Sequence, residues 1–168
     1  MQAGLSYSTL DAEADKDLDE VYRKLLTLIE RLHRQLLDVI KDELDRTGQK
    51  NINAVQALLL YNIGDSELTA GELRSRGHYL GSNVSYNLKK LVEAGYIAHQ
   101  RSQSDRRSVR VSLTDTGREV CSQVAGLFER HLGSVEKVGD IAGDMIQTTN
   151  VTLERLERFW GDQIRYQL

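Results

Sequence analysis

One ten-residue run in the second half of the chain constrains the fold more than any other segment. Residues 105–114 read Asp-Arg-Arg-Ser-Val-Arg-Val-Ser-Leu-Thr, and from the serine onward polar and apolar side chains alternate as in a strand with one exposed face. A polar turn separates this run from an earlier one, residues 96–101. Two short runs joined by such a turn predict a β-hairpin, whose tip here carries Arg106 and Arg107. Because arginine fits narrow, negatively charged DNA grooves and binds phosphate oxygens, the tip indicates nucleic-acid binding.

The segments on either side of the hairpin have apolar residues at helical spacing. A long amphipathic helix is predicted from Asp17 to Arg46, and residues 1–16, which show no such period, are expected to form a flexible N-terminal arm. Further helices are predicted over residues 53–62, 69–76, 82–94, 114–132 and 135–165. Thr69 and Glu72 match a capping box that starts the short third helix. Short helix, turn, helix and hairpin follow one another in the order of a winged helix-turn-helix.

The sequence therefore predicts a mainly α fold with a small β-hairpin wing, in the α+β class. We expect three parts: a flexible arm at residues 1–16, a winged helix-turn-helix DNA-binding lobe at 49–114, and a helical dimerisation region at 17–48 and 115–168. The apolar stripes of the first and last helices exceed what a small lobe can cover, and exposed patches of that size normally mark an interface. The alternative is that both long helices pack only on their own lobe.

The charge is divided unevenly along the chain. The formal net charge is -3, yet the segment from Glu72 to Arg118 holds nine basic and four acidic residues and carries +5, which leaves -8 for the rest. A basic face on an acidic body is typical of a nucleic-acid-binding protein. Uneven surface charge without a binding role is the alternative.

The helix predicted over residues 82–94 has one apolar face, formed by Val84, Leu88, Leu91 and Val92. Its other side carries residues suited to DNA, namely Ser82, Asn83, Ser85, Tyr86, Lys89 and Lys90. In a major groove, Asn83 and Tyr86 are suited to base edges or methyl groups, the serines to phosphates or bases, and the lysines to phosphates. A solvated helix face would show the same pattern, and the neighbouring hairpin favours recognition.

The hairpin itself offers further candidates. Asp105 lies two residues before Arg107, where a carboxylate can hold the guanidinium in one orientation. A charged tip that merely stays solvated is the alternative. Arg101 and Arg110 are candidates either for flanking phosphate contacts or for cross-strand support, and the sequence leaves both open.

Several function classes find no support in the sequence. No apolar run approaches the roughly 18 residues of a membrane span, and no signal peptide is recognisable, so we expect a cytoplasmic protein without a membrane partner. The single Cys121 cannot form an intrachain disulfide. The histidines are too scattered for a metal site, and no phosphate loop or nucleophile elbow is present. We therefore expect that the protein is not an enzyme and that it binds neither a cofactor nor a metal ion.

The chain resembles the multiple-antibiotic-resistance regulator (MarR) family, which has a wing signature Asp-x-Arg, five variable residues, then Leu-Thr. Asp105, Arg107, Leu113 and Thr114 stand at that spacing. The segments Ser82-Asn83-Val84-Ser85 and Leu91-Val92-Glu93-Ala94-Gly95-Tyr96 are similar to the family's recognition helix and its exit. The resemblance covers roughly residues 17–165, and the turn Gly77–Gly81 departs from it in being richer in glycine and aromatics.

The resemblance implies an obligate homodimer that acts as a ligand-responsive transcriptional regulator on double-stranded promoter DNA, and the sequence leaves open whether it is a repressor or an activator. It implies that Arg107 enters the minor groove with Asp105 positioning it, while Ser82 to Lys90 enter the major groove. Small aromatic or acidic effectors would bind between the dimerisation helices and the lobes, for which Tyr22, Arg23, His33 and Tyr61 are candidates. Two lobes related by a twofold axis would bind half-sites about 34–36 Å apart, hence a palindrome. A winged-helix protein–protein adaptor and a non-specific architectural DNA binder are the rival functions.

Overall fold

The computed structural model describes residues 7–69, 71–73, 81–101 and 109–166. The chain divides into two compact units, Met1–Cys121 and Ser122–Leu168. Its elements are α1 (Tyr7–Arg46), α2 (Ala54–Ile63), β1 (Leu68–Thr69), α3 (Gly81–Glu93), β2 (Ile97–Arg101), β3 (Val109–Leu113), α4 (Asp115–Gly139) and α5 (Gly143–Tyr166), with a further helical turn at residues 71–73. The predicted class, mainly α with a small antiparallel sheet, is confirmed. Among the described helices, none is long and apolar enough to cross a membrane.

Helix α1 begins ten residues earlier than predicted. The flexible arm expected at residues 1–16 is wrong for 7–16, which are helical; residues 1–6 lie outside the described part of the chain. Nucleating a helix is costly but extending one is not, because each added residue brings its own hydrogen bond. The added segment contains no glycine or proline and includes good helix formers such as alanine, leucine, glutamate and lysine. The helix therefore extends to Tyr7 although this segment has no sustained run of apolar residues at helical spacing.

The two ends of α1 differ in burial. Near its C-terminus Ile40 and Leu44 are buried, and α1 contacts α2. Glu43 is only 5% exposed and accepts two hydrogen bonds from Arg46 Nη2, at 2.7 and 2.8 Å. Further toward the N-terminus a stripe of large apolar side chains is exposed: Leu18, Val21, Tyr22, Leu26, Leu28, Leu32, Leu36 and Val39. A third or more of each of these side chains' surface is in contact with solvent.

Local capping interactions fix the short elements between α1 and α3. The predicted capping box is confirmed: Thr69 N–H donates to Glu72 Oε2 at 2.6 Å, and Glu72 N–H donates to Thr69 Oγ1 at 3.1 Å. A second box starts α2, where Asn53 and Gln56 exchange backbone and side-chain hydrogen bonds. The predicted extension of the third helix to residue 76 lies outside the described residues.

The hairpin belongs to a three-stranded antiparallel sheet of order β1-β3-β2. The two strands of the predicted hairpin are confirmed, with Ile97 opposite Leu113 and Arg101 opposite Val109. Strand β1 was not predicted. Its Leu68 is 2% exposed and pairs with Val111, so the buried face of β3 packs within the lobe. A two-residue strand has no alternation to detect, and its pairing depends on a partner more than forty residues away.

The break between the last two helices differs from the prediction. Helix α4 continues to Gly139 rather than ending near residue 132, and α5 begins at Gly143. Asp140 adopts a left-handed conformation (φ 52°), which ends the helix. The threonine-rich stretch of α5 stays helical, and Thr149 and Thr152 donate to carbonyls four residues earlier. Helix α5 buries none of its side chains, all of which the structure describes.

Candidate nucleic-acid interface

Helix α3 has one buried and one exposed face, as its sequence predicts. Leu88 and Leu91 are 7% and 1% exposed, and α3 contacts β2. On the opposite side Tyr86 is 63% exposed, and the side chains of Ser85, Lys89 and Lys90 are also exposed. The apolar anchorage therefore fixes which side chains of the lobe face outward. Ser82 and Asn83 lie in the first turn of α3, and their side chains are outside the described part of the structure.

The two exposed lysines of α3 share one carboxylate. Glu93, the last residue of the helix, places Oε1 3.9 Å from Lys89 Nζ and Oε2 3.2 Å from Lys90 Nζ. Lys90 Nζ also lies 6.0 Å from the centroid of the Tyr86 ring, at the outer range of a cation–π contact. Because these are i, i+3 and i, i+4 spacings on one helix, neighbouring turns bring the groups together. The charged side chains on the outward face of α3 thus contact one another in a defined arrangement.

Strand β3 carries a third exposed basic side chain of the lobe. Arg110 is exposed at the centre of the sheet, opposite Thr69 on one side and Gln100 on the other. Its Nη1 lies 3.9 Å from Glu67 Oε2, just before β1, and both side chains are at least half exposed. This long ion pair joins Arg110 to a residue outside the strands, so the two roles predicted for Arg110, phosphate contact and cross-strand support, stay predictions. The predicted inward positions Val111 and Leu113 are buried.

Other wing residues singled out from the sequence are only partly described. Arg101 is the last residue of β2, and its side chain is outside the described part of the structure. Asp105, Arg106 and Arg107 lie in the segment 102–108, which is also outside it. Their roles remain predictions from the sequence.

Thr114 ties the end of α3 to the base of the wing. Its hydroxyl donates to the carbonyl oxygen of Gly95 at 2.7 Å and accepts from Gly117 N–H at 3.1 Å, while its own N–H donates to the carbonyl of Tyr96 at 3.1 Å. A Cβ at Gly117 would collide with that same Tyr96 carbonyl, so glycine permits the close approach of α4. The contact with Gly95, which ends α3 with a φ of 79°, could not be predicted from local spacing, since 19 residues separate it from Thr114.

Residues of α3, β2 and β3 line an open groove of about 330 Å³. Its walls combine apolar and ionisable side chains, among them Ser85, Lys89, Val92, Glu93, His99 and Val111. It therefore offers a small ligand an apolar surface together with an ammonium, an imidazole and a carboxylate group, directly beside the outward face of α3. The groove could not be predicted from the sequence, because its residues come from three separate elements.

The residues predicted for an effector are not gathered in this way. Tyr22 and His33 both lie on α1, and eleven residues of helix separate them by about 16 Å. Arg23 donates from Nε to Asp19 Oδ2 at 2.8 Å, a hydrogen bond that holds the pKa of Asp19 below its ordinary value. Tyr61 lies on α2 and is partly exposed. Their binding role stays a prediction.

Other reactive groups offer little chemistry. Cys121 is half-buried on α4, and burial raises the pKa of its thiol, which favours the less reactive protonated form. Within the described ranges, no three His, Cys, Asp or Glu side chains are grouped so as to hold a metal ion.

Comparison with known proteins adds a family and a fold. The MarR family profile matches residues 50–108. The chain is 39% identical, over 97% of its length and 83% of the relative's, to the exopolysaccharide II synthesis transcriptional activator ExpG of Rhizobium meliloti (strain 1021).

Two solved structures illustrate the likeness in fold. A mutant MarR from E. coli complexed with operator DNA has a TM-score of 0.64 at 22% identity, covering 79% of this chain and 93% of that one. FabT of Streptococcus pneumoniae in complex with DNA has a TM-score of 0.64 at 24% identity, covering 84% and 98%. At these identities the likeness is one of fold alone.

The contacts of Thr114 generate a stability prediction. Thr114→Val keeps the shape of the side chain but removes the cap of α4 and the bond to Gly95, so the free energy of unfolding should fall by about 1–2 kcal/mol. Thr116→Val is the matched control, because Thr116 is exposed in the same helical turn. Chemical denaturation at one protein concentration measures both variants. Equal losses would contradict a structural role specific to Thr114.

Proposed function

Because the chain belongs to the MarR family of transcriptional regulators, we propose that it binds palindromic promoter DNA as a homodimer under the control of a small-molecule effector. The main support for DNA binding is the orientation of α3. Leu88 and Leu91 are buried against the lobe, and this leaves Tyr86, Lys89 and Lys90 exposed on the outer side of α3. A helix held in this way can lie in a major groove.

Each part of this surface has its own role in the proposal. Ser82, Asn83, Ser85 and Tyr86, in the first half of α3, contact base edges, and the two lysines further along contact phosphates. Arg110 and Arg101 contact phosphates flanking the groove. Our proposal keeps the roles expected from the sequence for the segment 102–108: Arg107 would enter the minor groove with Asp105 holding its guanidinium, and Arg106, its neighbour in sequence, would also contact DNA.

The dimer is supported by apolar surface that the described chain leaves uncovered. On α1, Leu18, Val21 and Leu32 are 67%, 58% and 60% exposed, and on α5 Phe159 is 52% exposed. Long amphipathic helices with uncovered apolar faces normally meet a partner, and a twofold axis presents the same face twice. The two α3 helices would then enter successive major grooves about 34–36 Å apart. Because the promoter lies in the cytoplasm, the protein would act there.

The DNA contacts can be tested by two substitutions of different character. Arg107→Ala should weaken binding to the protein's own promoter by roughly 1–3 kcal/mol if the side chain lies in the minor groove. Lys89→Ala should weaken binding to promoter and scrambled DNA alike, and should flatten the slope of log K against log salt by about 0.9. Fluorescence anisotropy at several salt concentrations measures both effects.

Lys41→Ala is the control for Lys89→Ala, because Lys41 also pairs with an acid four residues further along a helix, Asp45, but lies on α1. It should leave both affinity and slope unchanged. Wild-type protein without salt-dependent preference for promoter over scrambled DNA would contradict the function and favour a protein–protein adaptor.

The dimer can be tested on α1. Leu32→Glu should raise the dimer dissociation constant at least about a hundredfold, because each buried leucine contributes about 1.5 kcal/mol or more and the twofold axis counts it twice. Thr27→Glu adds the same charge to another side of the same helix and should leave the dimer intact. Sedimentation velocity reports the result. A wild-type monomer, or a dimer unaffected by Leu32→Glu, would contradict the proposed interface.

For the effector, the groove beside α3 is the better-supported site. At about 330 Å³ it is at the small end of ligand pockets, and Lys89 and His99 can bind a carboxylate while Val92 and Val111 contact an aromatic ring. An occupant there would compete with DNA for Lys89.

Benzoate, the simplest aromatic acid, serves as the probe. It should release promoter DNA from the wild type, and His99→Gln should raise the concentration required. Tyr61→Phe should not change that concentration. A response to Tyr61→Phe but not to His99→Gln would place the effector instead at the residues predicted from the sequence.

A further inference from the structure

The basic side chains that the structure describes on the proposed DNA surface all lie close to carboxylates of the same lobe. Lys89 and Lys90 share Glu93, and Arg110 is 3.9 Å from Glu67. Of these acids Glu93 has the larger effect on charge, because it serves two cations at once. Its side chain is 50% exposed, so it is accessible to solvent and to a DNA phosphate alike.

Glu93 stands at a position where helix physics disfavours it. It is the last residue of α3, where the partial negative charge of the helix dipole opposes an acid. Both lysines also precede it in the chain, which is the weaker order for an i, i+4 ion pair. A residue placed against two local preferences is a candidate for a functional role.

The geometry of Glu93 resembles that of a bound phosphate. Its two oxygens face two different ammonium groups, at 3.9 and 3.2 Å, in the way that a phosphate binds neighbouring lysines through separate oxygens. DNA must therefore displace or share this carboxylate, and the carboxylate repels the incoming phosphate. Exposed ion pairs are individually weak, so the exchange remains readily reversible.

We infer that Glu93 is an intramolecular competitor of the DNA backbone, which lowers the affinity of the lobe for all DNA by occupying Lys89 and Lys90. This inference rests on the proposed DNA-binding function. Since phosphate contacts carry no sequence information, a competitor at these lysines weakens specific and non-specific complexes together. Its physical effect is to keep the regulator exchangeable on DNA.

The test is Glu93→Gln, which keeps the size of the side chain and removes its charge. Binding to promoter and scrambled DNA should both become about three- to tenfold tighter, as expected for the release of two exposed pairs. The salt slope should steepen by about 0.9, because one more phosphate charge is effectively neutralised.

Glu30→Gln is the matched control. It makes the same substitution at an exposed i, i+4 pair, with Arg34, on α1, and should leave affinity and slope unchanged. A double variant shows whether Glu93 acts on DNA binding through its neighbouring lysines or through its charge at long range. If Glu93 acts through the lysines, the gain from Glu93→Gln should shrink when Lys90, the closer partner, is replaced in Lys90→Ala.

The possible outcomes distinguish a failure of this inference from a failure of the proposed DNA-binding function. Absence of salt-dependent DNA binding by the wild type overturns the proposed function and this inference with it. Wild-type binding with no gain, or a loss, in Glu93→Gln overturns the inference alone, because the glutamate would then be neutral or would orient the lysines for DNA. An undiminished gain in the Lys90→Ala background also overturns it.

Discussion

The burial of Leu88 and Leu91 orients the whole surface that we propose to bind DNA. Because these leucines fix the rotation of α3 about its own axis, they decide that Tyr86 and the two lysines face outward. Thr114 then fixes the same helix to the wing by bonding the Gly95 carbonyl at its C-terminal end. Apolar packing on one side and a short hydrogen-bond network at the end make helix and wing a single positioned unit.

The basic side chains that the structure describes on this unit face solvent, where DNA could reach them, and each also lies close to an acidic side chain of the same lobe. Lys89, Lys90 and Arg110 supply the positive field, and Glu93 and Glu67 reduce it locally. A chain with a net charge of -3 therefore has a segment of net positive charge, residues 72–118, and acidic side chains reduce the charge even there. Affinity supplied by electrostatics is sequence-independent, so moderating it leaves the base contacts as the source of discrimination.

The sequence predicted best what depends on neighbouring residues. The faces of α3, the Thr69–Glu72 capping box and the alternation of β3 follow from spacings within a few residues, and the structure confirms them. The sharing of Glu93 by two lysines follows from the same kind of spacing, since all three residues lie within five positions of one helix. Strand β1 could not be predicted, since its pairing with β3 is a long-range contact of only two residues.

Helix ends were predicted less well, because small energies decide them. Helix α4 passes through Gly133, where glycine costs about 1 kcal/mol relative to alanine, and ends only where Asp140 turns left-handed. Helix α1 extends to Tyr7 without an apolar period to indicate it. The DNA and effector contacts could not be predicted in detail for a different reason, since they depend on a partner that the chain's own residues do not specify.

Hydroxyl-radical footprinting of the protein on its own promoter shows whether two copies of α3 lie in neighbouring major grooves of one DNA site. Two α3 helices related by a twofold axis should protect two symmetric segments centred about 10–10.5 base pairs apart, or a multiple of that spacing, within a palindrome. A single unpaired protected segment, or uniform weak protection along the whole fragment, would contradict the account.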